Sequence, residues 1–191
     1  KGANSLKKGQ HHVNILQPSI GVGGYCLTKD PWFLSTLGSK HGLNIRLPSV
    51  GRKVNDIMPS YAANVINNFF QMQNKDYSSL KVAILGYSFK SNSGDVRFSP
   101  MENFVEILFK SGYENISVFD SAICESSISD PKVNKSLSWE ECVQSCDCVV
   151  FGAAHDDIKK ITMRKLANCM SYNGLVYDGR RYLSKDEVNE L

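Results

Sequence analysis

"KVAILGYSFKSNSGDVRFSPMENFVEILFKSG", residues 81–112, decides the fold. After Lys81 the run Val-Ala-Ile-Leu is apolar at every position, the pattern of a strand buried on both faces. A polar loop rich in Gly, Ser, Asn and Asp follows. "SPMENFVEILFKSG" then reads as an amphipathic helix with Ser99 as N-cap, Pro100 in its first position and Glu102 placed to complete a capping box. Strand, loop and helix make the first half of a βαβ unit.

The alternation continues to the end of the chain. "ENISVFD", "DCVVFGAA" and "GLVYDGR" read as strands; "SWEECVQSC", "TMRKLANCM" and "SKDEVNEL" read as helices, the last with Ser184 and Glu187 as a second capping box. Strands separated by helices of about ten residues imply right-handed crossovers and a parallel sheet, hence an α/β, Rossmann-like domain. In such sheets ligands bind beyond the carboxyl ends of the strands. Those ends carry Lys90, Arg97, Arg180 and Arg181, cations that suit a phosphate-bearing ligand. The loop after the first strand reads Gly86-Tyr-Ser-Phe-Lys-Ser, not Gly-x-Gly-x-x-Gly, so the usual dinucleotide cradle is missing from it.

Upstream, "NKDYSSLK" (74–81) is a polar break. Before it, Val50, Val54, Ile57, Met58, Tyr61, Ala62, Val65, Ile66, Phe69 and Phe70 recur at three and four residues and read as one apolar stripe on a long helix, with a kink expected at Pro59. A helix of that length joins two domains, packs against a second subunit, or both. "DPWFLSTLGSKHG" reads as a further helix with Asp30 as N-cap, Pro31 next and Gly42 at its end. The division is therefore 1–76, part of a helical domain, and 77–191, the sheet domain. Within the first, "SIGVGGYCLTKDPWFL" (19–34) sets Cys26 among glycines. Two readings stand: a tight turn holding a buried thiol, or a loop shaped to bring a substrate to a nucleophile.

Composition narrows the class. The chain has 191 residues, is 42% hydrophobic and 21% charged, and carries a net charge of +3. No basic run interleaved with aromatics suggests nucleic acid, no apolar stretch suggests a membrane span, and "KGANSLKKGQHHVN" is not a signal peptide. With no export signal, the six cysteines are expected to be reduced, cytosolic thiols. The spacing of Cys142, Cys146 and Cys148 lacks paired Cys-x2-Cys knuckles, so no metal is expected; Cys142 and Cys146 are read onto one face of a short buried helix. His11, His12, His41 and His155 are read as structural or exposed.

Three motifs in order resemble the nucleotide-sugar dehydrogenases, the UDP-glucose/UDP-N-acetylmannosamine 6-dehydrogenase family. "GVGGYCLTKDP" resembles its catalytic-cysteine loop, Gly-x-Gly-Gly-x-Cys-x-x-x-Asp. "LGYSFKSNSGDVRFSP" is similar to the opening of its C-terminal nucleotide-binding domain, and "YDGRR" to its late Asp-x-Arg. The resemblance runs from about residue 10 to 185, and "HVNILQP" before the cysteine loop looks nearest the branch acting on UDP-N-acetylhexosamines such as UDP-N-acetylmannosamine. It implies an NAD-dependent oxidation of a UDP-sugar's C6 alcohol to a carboxylate in polysaccharide precursor synthesis, by a cytoplasmic homodimer or higher homo-oligomer with no nucleic-acid or membrane partner. Departures accompany it. The family's NAD-binding Rossmann domain, its catalytic lysine and asparagine and an acidic residue are expected before residue 1, so the chain reads as a C-terminal portion, inactive alone. His11 and His12 stand where the family often has an arginine.

The resemblance implies a role for each candidate. Cys26 would add as a thiolate to an aldehyde intermediate, giving a thiohemiacetal that is oxidised to a thioester and hydrolysed. Gly23, Gly24 and Tyr25 would lie against the sugar. Asp30 would orient or activate the water or thiol, or else serve only as a helix cap. Lys29 is a cofactor contact or a solvated lysine. Phe89 and Lys90 would meet the UDP portion, and Arg97 the NAD of a neighbouring subunit, unless it is occupied in an ion pair with Asp95. Arg180 would meet the uridine nucleotide, with Arg181 as the fallback and Asp178 positioning the arginine. The alternative is a non-catalytic UDP-binding and dimerisation module that kept the fold and lost the reaction.

Overall fold

The computed structural model describes residues 19–181 together with 183, 186 and 188. His11, His12 and the expected Ser184–Glu187 capping box lie outside the described residues. Five strands, β1 (Lys81–Leu85), β2 (Asn115–Phe119), β3 (Asn134–Lys135), β4 (Cys148–Phe151) and β5 (Leu175–Tyr177), form one parallel sheet in the order β3-β2-β1-β4-β5. Leu85 is level with both Phe119 and Phe151. The three central strands therefore end together, and their loops emerge side by side. The chain changes direction between β1 and β4, the switch point where doubly wound sheets open a crevice. β3, an edge strand of two residues, was not foreseen in the sequence.

The α-helices bounded among the described residues are α1 (Tyr25–Lys40), α2 (Leu47–Met72), α3 (Pro100–Lys110), α4 (Trp139–Val143) and α5 (Met163–Cys169); α1 packs on α2, and the others cover the sheet. Alternate strand residues feed two cores. Val82, Ile84, Ile116, Val118 and Val150 pack with Ala62, Ala63, Ile66 and Phe70 of α2 and Met101, Phe104 and Leu108 of α3. On the other face Ala83, Leu85, Val149 and Phe151 pack with Val143 of α4 and Leu166 of α5. Each fully buried aliphatic or aromatic side chain stabilises the fold by about 1.5–3 kcal/mol. These layers fix the strand ends on which the site is built.

Four expectations need correction. α1 begins at Tyr25, capped by Gly24 at φ 89, so Asp30 lies in its second turn and caps nothing. The glycines let the chain turn into the helix five residues before the Asp-Pro pair that resembles a start signal. Ser99 does cap α3, but its hydroxyl accepts from the Met101 N–H, and its own N–H is taken by the Val96 carbonyl, so the Glu102 half of the box does not form. α4 ends at Val143, leaving Cys146 in the turn beyond it, although both thiols are buried. α2 runs unbroken through Pro59 and carries two apolar faces, not one. Pro59, Ala62, Ala63, Ile66 and Phe70 face the core, whereas Val50, Val54, Ile57, Tyr61 and Val65 are 38–61% exposed. At 3.6 residues per turn the two sets lie on nearly opposite sides of the helix.

Candidate functional site

The cysteine loop is held from α2. Asn55 Oδ1 accepts from the Val22 N–H at 2.7 Å, its Nδ2 donates to the Val22 carbonyl at 3.2 Å, and Arg52 Nη1 donates to the same carbonyl at 3.3 Å. Arg52 is buried and paired with Asp56. Sequence reasoning missed Arg52 and Asn55. Their signal is a pair of polar residues three apart on the side of the helix whose later positions, Pro59, Ala62, Ala63, Ile66 and Phe70, are apolar and buried.

Gly23 and Gly24 then press onto the sheet domain. A Cβ on Gly23 would stand 2.3 Å from the Phe98 carbonyl oxygen and 2.9 Å from Phe89 Cβ; one on Gly24 would stand 2.6 Å from the Phe89 ring. The Tyr25 ring meets that of Phe98 at 5.8 Å between centroids. Cys26 follows in the first turn of α1 and is exposed, which removes the buried-thiol reading. Partial positive charge at a helix N-terminus favours negative charge developing there. Lys29 and Arg97 both lie within electrostatic reach of the thiol. The Asp30 carboxylate, free of the backbone, pairs with Lys29 at 3.0 Å. The Lys29 ammonium also sits over the rings of Tyr25 and Phe33.

The loop after β1 is tied to the loops on either side of it. The buried Asp120, just past β2, accepts at Oδ2 from the Tyr87 and Ser88 N–H groups at 2.7 and 2.8 Å, and at Oδ1 from the Ala122 N–H at 2.9 Å. Burial pushes its carboxyl up, but the His155 ring and these N–H groups outweigh that and hold it below the ordinary value. His155, past β4, is 1% exposed; its Nε2 lies 3.1 Å from Asp120 Oδ2 and 3.0 Å from Ser88 Oγ, and its Nδ1 accepts from the Asn92 N–H at 2.8 Å. The Ser99 hydroxyl donates to the Tyr87 carbonyl, joining this loop to α3.

On that frame the candidate residues diverge. Phe89 is half-buried beneath the cysteine loop. Lys90 is exposed and makes no ion pair or side-chain hydrogen bond among the described residues. Arg97 is bidentate to Asp95, which it pulls down to about 2, so the ion-pair reading of Arg97 holds. Arg180 is half-buried, donates from Nε to the Gly152 carbonyl and is lowered by burial. Asp178 accepts from the Arg180 N–H at 3.0 Å and from the Leu183 N–H at 3.0 Å, so it holds the backbone of the turn and not the guanidinium. Arg181 is exposed in the left-handed region at φ 53. Gly179 packs against Ile20, so the late arginine loop also touches the cysteine segment.

Three loops thus converge at the carboxyl edge of the sheet and bring Cys26, Phe89 and the cations to one side of the molecule. A cavity of about 530 Å³ lies behind the cysteine loop, bounded by Thr28, Arg52, Asn55, Phe98, Glu102 and Asn103, and none of the candidate residues lines it. Among the described residues no group of His, Cys, Asp and Glu side chains could hold a metal ion. Three of the other thiols are inert by environment: burial pushes Cys142 and Cys146 up to about 12 and Cys148 well above its ordinary value, whereas Cys124 is exposed and Cys169 half-buried.

A doubly wound parallel sheet, with a glycine-hinged cysteine segment docked where the strand order reverses, defines a Rossmann-like α/β protein of the nucleotide-handling kind. The particular family follows from comparison with known proteins: the chain belongs to the UDP-glucose/GDP-mannose dehydrogenase family. Residues 83–185 match its UDP binding domain and residues 2–57 its central domain. The chain is 31% identical over 91% of its length to the UDP-N-acetyl-D-mannosamine dehydrogenase of Methanocaldococcus jannaschii, of which it covers 38%. Among solved structures it is similar to NDP-N-acetyl-D-galactosaminuronic acid dehydrogenase from Methanosarcina mazei, with a TM-score of 0.78 and 30% identity over 92% of this chain and 38% of that one. It is also similar to the UDP-D-ManNAc dehydrogenase from Pyrococcus horikoshii, with a TM-score of 0.75 and 28% identity over the same shares. The chain therefore spans well under half the length of these relatives.

Proposed function

We propose that this chain is the C-terminal, substrate-nucleotide portion of an NAD-dependent UDP-sugar 6-dehydrogenase, with a UDP-N-acetylhexosamine of the N-acetylmannosamine type as substrate. The observation that carries the reading is the contact of Gly23 and Gly24 with Phe89, which sets the cysteine loop directly against the loop bearing Lys90. A sugar held at Cys26 and a diphosphate held at Lys90 and Arg180 then fit on one molecule. Lys90 supplies a point charge to phosphate, and Arg180 the planar donor edge that suits a nucleotide. Gly23, Gly24 and Tyr25 face the sugar; Arg181 is the reserve cation.

NAD, when bound, accepts a hydride at each of the two oxidations. The described residues fit only its charged edge: Lys29, exposed beside Cys26 and shared with Asp30, would meet it, and Arg97 could do so only with the part of its guanidinium not engaged by Asp95, while the loop after β1 offers no glycine cradle. Cys26 acts between the oxidations. Its thiolate adds to the C6 aldehyde to give a thiohemiacetal; loss of hydride leaves a thioester; water attacks the acyl carbon and the thiol leaves, releasing the carboxylate. Asp30, not occupied as a cap, is available to take the proton of that water. The division near residue 76, supply of the NAD domain by other parts of the enzyme, and inactivity of these 191 residues alone belong to the same reading. Six unpaired thiols support a reducing, cytoplasmic setting.

The exposed face of α2 supports pairing with a second copy, since five apolar side chains repeated along about four turns exceed scattered surface hydrophobics. No described helix is long and apolar enough to cross a membrane.

Calorimetric titration with UDP tests the site. Binding is expected, and Lys90→Ala and Arg180→Ala should each weaken it about 10- to 100-fold, the loss of a charge-assisted hydrogen bond. Cys26 should be alkylated ahead of Cys142, Cys146 and Cys148, and the UDP-sugar should protect it. Absence of UDP binding refutes the site. UDP binding without protection of Cys26 leaves a non-catalytic module.

A further inference from the structure

We propose that the buried His155–Asp120 pair is a positioning device for the Phe89–Lys90 loop, strapping it at both ends to the switch point of the sheet. The proposal rests on the reading of that loop as the UDP contact. The Asn92 N–H donates to His155 Nδ1, so the ring proton is on Nε2 and is shared between Asp120 Oδ2 and Ser88 Oγ. The Ser88 hydroxyl is then free to donate to the Lys90 carbonyl at 3.2 Å. One imidazole thereby fixes Ser88 on one side of Phe89–Lys90 and Asn92 on the other.

A second layer reinforces the far end. Asn92 Nδ2 donates to Asp156 Oδ2 at 2.8 Å, and the Asp156 N–H donates back to Asn92 Oδ1 at 3.0 Å. Asn92 itself stands at φ 55, a left-handed turn that Asn tolerates better than most residues. None of these groups reaches the exposed Lys90 ammonium. They hold the backbone from which it projects, adding to the Phe89 N–H bond to the Asp95 carbonyl and the Ser99 hydroxyl on the Tyr87 carbonyl. Of these restraints only the imidazole ties residues on both sides of Phe89–Lys90 to one group. Positioning of this kind lowers the ordering cost of binding a diphosphate.

The test uses the whole chain and three variants. His155→Leu removes both bonds, His155→Asn keeps an acceptor near the place of Nδ1, and His155→Gln keeps a donor near that of Nε2. In His155→Leu the Asn92 amide should exchange with solvent about three- to tenfold faster and UDP should bind more weakly by a similar factor, the loss of about one net hydrogen bond. His155→Asn should restore Asn92 protection where His155→Gln does not. If His155→Leu fails to fold, the Asn and Gln pair decides: equal exchange at Asn92 in both overturns the strap. Unchanged Asn92 protection and unchanged UDP affinity in His155→Leu overturn it as well. If the unaltered chain binds no UDP, the nucleotide reading fails, and the exchange rates still decide whether His155 positions the loop.

Discussion

Gly23→Ala sets the contact between the two halves of the site against its own side chain. The added Cβ would meet the Phe98 carbonyl at 2.3 Å, Pro100 Cδ at 2.8 Å and Phe89 Cβ at 2.9 Å. The nearest of these is backbone, and it cannot retreat easily. Phe98 sits at φ 53, and Ser99, the next residue, is hydrogen-bonded both into α3 and to the Tyr87 carbonyl. Overpacking of this kind destabilises by about 1–3 kcal/mol. At about 2–4 °C per kcal/mol for a chain of this size, a cost of about 2 kcal/mol lowers Tm by about 4–8 °C. Gly51→Ala is the matched control: a Cβ there has nothing within 4 Å, and the residue is inside α2. Relief of glycine's entropy in a helix should stabilise by about 0.8–1 kcal/mol and raise Tm by about 2–4 °C. Thermal melts of both variants by circular dichroism decide. A Gly23→Ala protein that melts with the parent, or a Gly51→Ala protein that melts below it, refutes the claim that packing at the glycine hinge sets the sign.

Asp95 should titrate at about 2, below its ordinary 3.8, because the Arg97 guanidinium and backbone N–H favour its charged form. Its folded value is depressed, so its contribution to stability is complete above about pH 4 and is lost as the pH falls through 2. A carboxyl NMR titration with a midpoint near 4 would contradict this. Ile57→Glu, on the outer face of α2, should leave helix content intact while converting a dimer to a monomer in analytical ultracentrifugation. An unchanged sedimentation coefficient in a dimeric protein would move the interface elsewhere.

Much of the sheet domain was legible because its central strands are short β-branched or apolar runs bounded by turn residues, as in "KVAIL" and "CVVF", too short for a buried helix. β3 was not, since Asn134–Lys135 is too short to show a period and pairs only because β2 is already in place. The start of α1 was misread because Asp30-Pro31 imitates a cap, while the real entry depends on Gly24 at φ 89, which leaves no mark beyond the glycine itself. The two faces of α2 merged into one stripe because spacings of three and four were read pair by pair; indexed at 3.6 residues per turn the two sets fall on opposite sides, and the sheet beneath Ile66 and Phe70 decides which of them is buried. In the site, the cations announced themselves by position at strand ends. Asp120 and His155 did not, because only parallel strand order brings the ends of β2 and β4 to the same loop.

The two rims of the sheet are very short, two residues in β3 and three in β5. Rims of that length offer too few vacant N–H and C=O groups to template an added strand, and Lys135 makes such addition still less favourable. Lateral, fibre-like growth is thereby discouraged in a molecule that nevertheless displays a greasy helical flank, so that any pairing through that flank would be free to close on itself.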